Sequence, residues 1–204
     1  MERKTQTGYL LLADISGYTS FVAQTEIEHA DIALSYLLET IVEKLNATLT
    51  VAKLEGDAVF AYAEEGKLTD GKSLLELVDQ TYRAFRDKAL DLFSHATCSC
   101  RACRALPALD LKFMVHHGSF VIQQIAGIKD LLGTDVNLVH RLAKNHVSES
   151  TGWQGYALFT DPVLERIQQN KEGLFNRCET YEHLGDVDIY CMNMHDRYAN
   201  MKSS

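Results

Sequence analysis

The sequence predicts an α+β fold, a ferredoxin-like βαββαβ sheet with helices on one face and a C-terminal extension. Three observations predict it. Residues 8–14, 49–53 and 58–63 are short apolar runs of strand length. Residues 30–45 and 74–92 instead repeat apolar side chains at three- and four-residue spacing, the pattern of an amphipathic helix. With the strand material at 109–125, these segments follow one another as β-α-β-β-α-β.

Each element has its own signal. Gly8-Tyr-Leu-Leu-Leu-Ala-Asp14 is apolar up to its aspartate, as a strand buried on both faces is, and it stops at the Ser16-Gly17 turn. Ala30, Leu34, Leu37, Leu38, Ile41, Val42 and Leu45 form the stripe of the first long helix. Two strands then join across Glu55-Gly56-Asp57, a hairpin signature. Leu74, Val78, Tyr82, Phe85, Ala89 and Leu92 mark a second helix. A third helix is expected from Asp135 to about His146, with Thr134 as its cap. Residues 156–160 are a short strand, and Asp161-Pro162 opens another helix as cap and first-position proline. Residues 175–183 and 187–194 supply two last strands turning at Gly185-Asp186. Only two prolines occur, Pro107 and Pro162, and no low-complexity linker divides the chain. One domain over 1–204 is therefore expected, with a cysteine-rich insert at about 94–108.

The 204 residues are 46% hydrophobic and 24% charged, which suits a globular domain with a substantial core. No apolar stretch approaches the ~18 residues a membrane helix needs, and the start lacks a signal peptide's apolar run, so a cytoplasmic protein is expected. A formal net charge of −8 argues against broad nucleic-acid binding through a basic surface.

Two acidic motifs carry the chemistry: Ala13-Asp14-Ile15-Ser16-Gly17-Tyr18-Thr19 and Lys53-Leu54-Glu55-Gly56-Asp57-Ala58. Each sets an aspartate at the end of an apolar run beside a glycine, at the edge of a sheet. Two such carboxylates brought together suit Mg²⁺, which takes its other oxygens from water and substrate phosphates. Taken singly, either motif is ordinary turn chemistry. Asn137 and Arg141 stand four residues apart on one face of the third helix, with Val136, Val139 and Ala143 on the other side. An exposed helix face with Arg141 paired to Asp135 or Glu149 is the alternative to a functional role there.

With Asp130-Leu-Leu-Gly133-Thr-Asp-Val-Asn137-Leu-Val-His-Arg141, these motifs match in order and spacing the signature of the class III nucleotidyl cyclases. The chain resembles that family from about Gly8 to about Tyr190. The resemblance implies an adenylyl cyclase converting ATP to cyclic AMP and pyrophosphate by a two-metal mechanism, with two Mg²⁺ or Mn²⁺ per active site held by Asp14 and Asp57. It assigns phosphate binding to Ile15, Gly17, Tyr18 and Thr19, adenine reading to Lys53 and Asp130, and catalysis to Asn137, which orients the ribose, and Arg141, which stabilises the transition state. Tyr18 replaces the family's more usual Phe. In the family the aspartates come from one subunit and the other four residues from its twin, so a homodimer is implied.

Two departures stand out. Ser119 and Leu184 occupy positions where many members carry phosphate-binding cations, with Lys129 or His183 as the candidate substitutes. This opens the alternative of a weak or inactive cyclase-homology module that binds nucleotide or dimerises. A nucleotidyl transferase on a related palm-like sheet is a further alternative, but it leaves Lys53, Asp130, Asn137 and Arg141 as chance matches. The second departure is His95-Ala-Thr-Cys98-Ser-Cys100-Arg-Ala-Cys103. Three cysteines so close suggest a structural Zn²⁺ site at Cys98, Cys100 and Cys103, with His95, Cys178, Cys191 or a partner-subunit residue as fourth ligand; reduced free thiols are the alternative. This insert and the paired His116 and His117 resemble an uncharacterised bacterial subgroup of cyclase-homology domains. Those histidines alternate across a strand, so at most one faces the cleft.

Overall fold

The computed structural model describes residues 4–68 and 71–203. Its first part is β1 (Gln6–Ser16), α1 (Tyr18–Gln24), α2 (Ile27–Asn46), β2 (Thr50–Glu55), β3 (Ala58–Glu64), α3 (Gly71–Ser94) and α4 (Arg101–Ala105). A 3₁₀ turn, Leu106–Ala108, then leads to β4 (Asp110–Ile125) and β5 (Ile128–Leu132). The remainder is α5 (Thr134–Leu142), α6 (Val147–Thr151), β6 (Tyr156–Thr160), α7 (Asp161–Arg166), β7 (Phe175–Tyr181), β8 (Gly185–Asn193) and α8 (Met194–Ser203). The sheet order is β2-β3-β1-β4-β6-β8-β7, with β5 paired only to β4. Its first four strands are antiparallel in the ferredoxin-like order, and the C-terminal strands extend the β4 edge through a parallel β4–β6 pair.

Strand alternation sorts the side chains into two cores. Leu11, Ala13 and Ile15 of β1, Val59 and Ala61 of β3, and Phe113 and Val115 of β4 face α2 and α3. Leu10 and Leu12, Ala58 and Phe60, and Met114 face the other way, where Val136, Val139 and Leu142 of α5 and Leu131 of β5 cover them. The continuous apolar runs follow from this, because a strand covered on both faces has no side to leave polar. Helices of the βαββαβ unit thus cover one face as expected, and α5 from the extension adds a second layer.

Four boundaries differ from expectation. Thr134 is the first residue of α5 rather than its cap: the cap position falls to Gly133, whose backbone is extended, and no side chain bonds there. The helix also ends at Leu142, with Asn145 Nδ2 donating to the Leu142 carbonyl. Asp161 likewise lies inside α7, with Thr160 at the cap position. The last hairpin turns at residues 182–184, just ahead of the expected Gly185-Asp186, with both His183 at φ 68° and Gly185 at φ 76° in the left-handed region.

Candidate functional site

β1 ends where Gly17, at φ 87°, turns the chain into α1. Asp14 continues the Leu10–Leu12 row and pairs in register with Ala58 and Lys112. Asp57 sits in the β2–β3 turn and is locked to β1 by its carbonyl, which accepts the Ile15 N–H at 3.1 Å. The two carboxylates converge here. Burial, then the charge of Asp14, hold the Asp57 carboxyl above its ordinary value, while Lys112 works the other way. Lys112 Nζ lies 3.1 Å from Asp14 Oδ2, with the two side chains only 20% and 16% exposed. Two half-buried carboxylates that resist sharing their charge fit a hard cation with oxygen ligands.

Of the expected phosphate loop, Ile15 has already given its N–H to Asp57. Gly17 supplies the turn, and Tyr18 and Thr19 open α1, where helix geometry leaves the first N–H groups without intrahelical acceptors. Ser16 is tied down by its hydroxyl, which donates to the Gln154 carbonyl at 2.7 Å.

Lys53 and Asp130 meet as an ion pair of 3.4 Å. A β-bulge makes this possible. Val51 pairs with Ala61 on the α2–α3 face, but the register shifts at Ala52 so that Lys53 pairs with Phe60 on the α5 face. Strict alternation would have aimed the ammonium into the core; the bulge re-aims it. Glu55 accepts from Lys53 at 2.9 Å and lies 3.1 Å from His140 Nδ1. The Glu55 bond is the main reason that the Lys53 ammonium holds its proton more tightly than usual. His140 packs against Phe60 at 4.8 Å between ring centroids, and burial lowers its proton affinity.

Asn137 and Arg141 both lie on the exposed side of α5. They line a groove of about 300 Å³ with His140, Glu182, His183 and Leu184. Among the described residues Arg141 makes no ion pair; Asp135, one of its two expected partners, is engaged elsewhere. Asp135 Oδ2 accepts the Ser119 N–H at 2.6 Å, and its Oδ1 lies 3.3 Å from His116 Nε2. His183 lines the groove, whereas Lys129 is exposed on β5. His116 bonds Thr160 at 2.8 Å and His117 meets Tyr9 edge-on, so both paired histidines serve the sheet.

The cysteine cluster assembles with a different fourth member. Cys98, Cys100 and Cys103 gather around His29 of α2, not around the residues expected. His95 turns to Asp91 at 3.0 Å, Cys178 is exposed on β7, and Cys191 is buried on β8. Sequence reasoning missed Lys112 and His29. A lysine between Leu111 and Phe113 in a buried strand was a readable signal for the first; nothing local marked the second.

The fold is that of class III cyclase catalytic domains. A crystal structure of the guanylyl cyclase Cya2 matches with a TM-score of 0.75 at 16% identity, over 94% of this chain and 93% of that one. A bacterial light-regulated adenylyl cyclase matches with a TM-score of 0.67 at 15% identity, over 95% of this chain and 54% of that one, so the chain spans about half its length. In sequence, the uncharacterized protein Rv2561/Rv2562 of Mycobacterium tuberculosis is 27% identical over 162 residues, 79% of this chain and 73% of the relative. Residues 34–151, from α2 through α6, match a family described as "Protein of unknown function (DUF2652)", and the chain belongs to that family.

Proposed function

We propose that the protein is a nucleotidyl cyclase that converts ATP to cyclic AMP and pyrophosphate at a site shared between two copies of the chain. The observation that carries this reading is the sorting of six polar residues into two clusters: Asp14 with Asp57, and Lys53 with Asp130 beside Asn137 and Arg141 on α5. Lys53 can only donate hydrogen bonds and ionised Asp130 can only accept, which complements adenine's ring nitrogen and amino group. Guanine presents the reverse and would leave both unpaired. Arg141, which makes no ion pair among the described residues, is available to the α-phosphate as charge builds there. Asn137, one turn earlier, holds the ribose so that its 3′-hydroxyl faces that phosphorus.

Asp14 and Asp57 would hold Mg²⁺ or Mn²⁺, and Lys112 must yield its place on Asp14 to such a cation. When bound, the metals lower the pKa of the 3′-hydroxyl and neutralise charge on the departing pyrophosphate. The homodimer is supported by exposed apolar side chains beside the base-reading pair: Leu54 of β2 and Ile125, Ile128 and Leu132 of the β4–β5 ribbon, with Ile128 72% exposed. No helix among the described residues is long and apolar enough to cross a membrane.

A second reading, a nucleotide-binding or dimerising module with little turnover, draws on Leu184, which puts an apolar side chain in the groove. Incubation of the purified protein with Mn²⁺ and labelled ATP or GTP separates the two. Cyclic AMP in excess over cyclic GMP is expected; ATP binding without cyclic product establishes the quiet module instead.

A further inference from the structure

The segment between α3 and β4 holds three of the chain's five cysteines, and none of the five is in a disulfide. Cys98 Sγ lies 3.2 Å from both Cys100 Sγ and Cys103 Sγ. His29 Nδ1, from the start of α2, lies 3.1 Å from Cys100 Sγ and 3.4 Å from Cys98 Sγ. All four ligand atoms fall within 4.8 Å of one another. A tetrahedral Zn²⁺ with Zn–S of ~2.3 Å and Zn–N of ~2.0 Å sets sulfurs about 3.8 Å apart and sulfur from nitrogen about 3.6 Å. The four short separations need to open by about half an ångström, and any nearer the 4.8 Å limit to close by about one.

We infer that His29, Cys98, Cys100 and Cys103 bind one Zn²⁺ in a closed structural site. Thiolates and an imidazole without a carboxylate select a soft or borderline ion and disfavour Mg²⁺ and Ca²⁺. Four protein ligands leave no open position for a substrate, so the site's work is structural. Its supporting shell is present: the Cys103 N–H donates to Cys100 Sγ at 3.3 Å, which orients that sulfur.

The ligand set ties the insert to α2. Three ligands come from the insert and the fourth from a helix some seventy positions earlier. A second tie lies alongside, where Glu26 accepts the Ala102 N–H at 3.2 Å and lies 3.6 Å from Arg101. Ala102, Leu106 and Leu109 are buried in the main core, and the Ala108 carbonyl and Leu109 side chain line the space beside Gly17. The zinc clip therefore fastens the surface on which the turn after Asp14 rests. This inference stands on the cluster itself and holds whether or not the protein turns over a nucleotide.

The test uses the untagged full-length chain, purified under reducing conditions from zinc-supplemented cells. About one zinc per chain is expected by elemental analysis. Replacement by Co²⁺ should give the intense visible bands of a tetrahedral thiolate site. His29→Ala should change those bands and weaken zinc, in competition with a chromophoric chelator, by more than the 10–100-fold that an outer-shell loss costs. His95→Ala should leave both unchanged. In the chelator-stripped wild-type chain, which needs no variant to fold, hydrogen exchange should speed up in 95–109 and 17–24 and slow again on adding zinc. Weak octahedral cobalt bands, no zinc under reducing conditions, or a Cys98–Cys103 disulfide in its place would each overturn the site. Unchanged zinc affinity in His29→Ala would remove His29 as a ligand, and unchanged exchange in 17–24 would remove the link to Asp14.

Discussion

Gly118 is where β4 passes beneath the first turn of α5, and the space there is already full. A Cβ placed on it would lie 2.4 Å from Asp135 Cγ and Oδ2 and 2.5 Å from Asp135 Cβ, against 3.4 Å for ordinary contact. A clash with the carboxylate alone would clear by rotation about χ1. The Asp135 Cβ does not move with χ1, so the start of α5 itself must retreat by about an ångström, the shift that overpacking forces on backbones. Gly118→Ala should therefore cost roughly 1–3 kcal/mol from overpacking. Disturbing the 2.6 Å bond from the Ser119 N–H to Asp135 adds about 1.5 kcal/mol. The assay is the urea unfolding midpoint, with the slope unchanged. Asp135→Gly removes the obstruction, so Gly118→Ala should cost much less in that background than in the wild type. Because α5 carries Asn137 and Arg141, an ångström of misplacement should also lower cyclase turnover by up to ~10²-fold. A Gly118→Ala protein with unchanged midpoint, or a double variant whose cost equals the sum of the singles, refutes the argument.

Asp57→Asn and Arg141→Ala should each abolish turnover, yet an equal mixture re-formed from dissociated subunits should recover about one quarter of it. Half the dimers are then mixed, and each holds one intact site of two; no recovery from two correctly dimerising variants defeats the shared site. Lys112→Met removes the ammonium that competes for Asp14, so Mn²⁺ should bind roughly tenfold tighter by calorimetry, the scale of a charged hydrogen bond. Weaker binding would mean that Lys112 assists the metal. Burial lowers the proton affinity of His116, with Asp135 offsetting part of the effect. The folded state thus binds fewer protons than the unfolded chain, so this histidine contributes stability above about pH 6.5 that is lost as pH falls through the depressed value. The urea midpoint should drop below pH 6.5, and less so in His116→Gln; an equal drop in both assigns the effect to other groups.

Much of this site was legible because local chemistry announces it. Asp14 and Asp57 end apolar strands beside glycine turns, and the structure keeps both there. The α5 ridge was readable from Val136 and Val139, whose burial turns Asn137 and Arg141 outward. The face of Lys53 was not readable, since a bulge leaves no residue signature and a one-residue slip reverses every side chain beyond it. His29 was hidden for a different reason: three members of the cluster share one short segment, but the fourth arrives through the packing of α4 against α2. The last hairpin turns earlier than expected because it uses two left-handed positions, and His183 supplies one of them beside Gly185.

Within one chain, the two polar clusters gather around different partners. The groups that perturb Asp57 are Asp14 and Lys112, while those that perturb His140 are Glu55, Lys53 and Asp130, with no member in common. The groove beside Asn137 and Arg141 is lined by neither aspartate. A triphosphate held by one cluster needs a base-reading surface from elsewhere, and a second copy of the chain has the surface to spare. Its apolar β4–β5 ribbon is exposed immediately beside Lys53 and Asp130, so burying that ribbon against a twin also carries the base-reading pair to the interface. Apolar burial would supply the affinity for pairing. On this argument, replacing Ile125 and Ile128 with serine should yield a folded monomer by sedimentation that lacks cyclase activity. An active monomer would place all six residues around one nucleotide within a single chain, against the separation that this fold gives them.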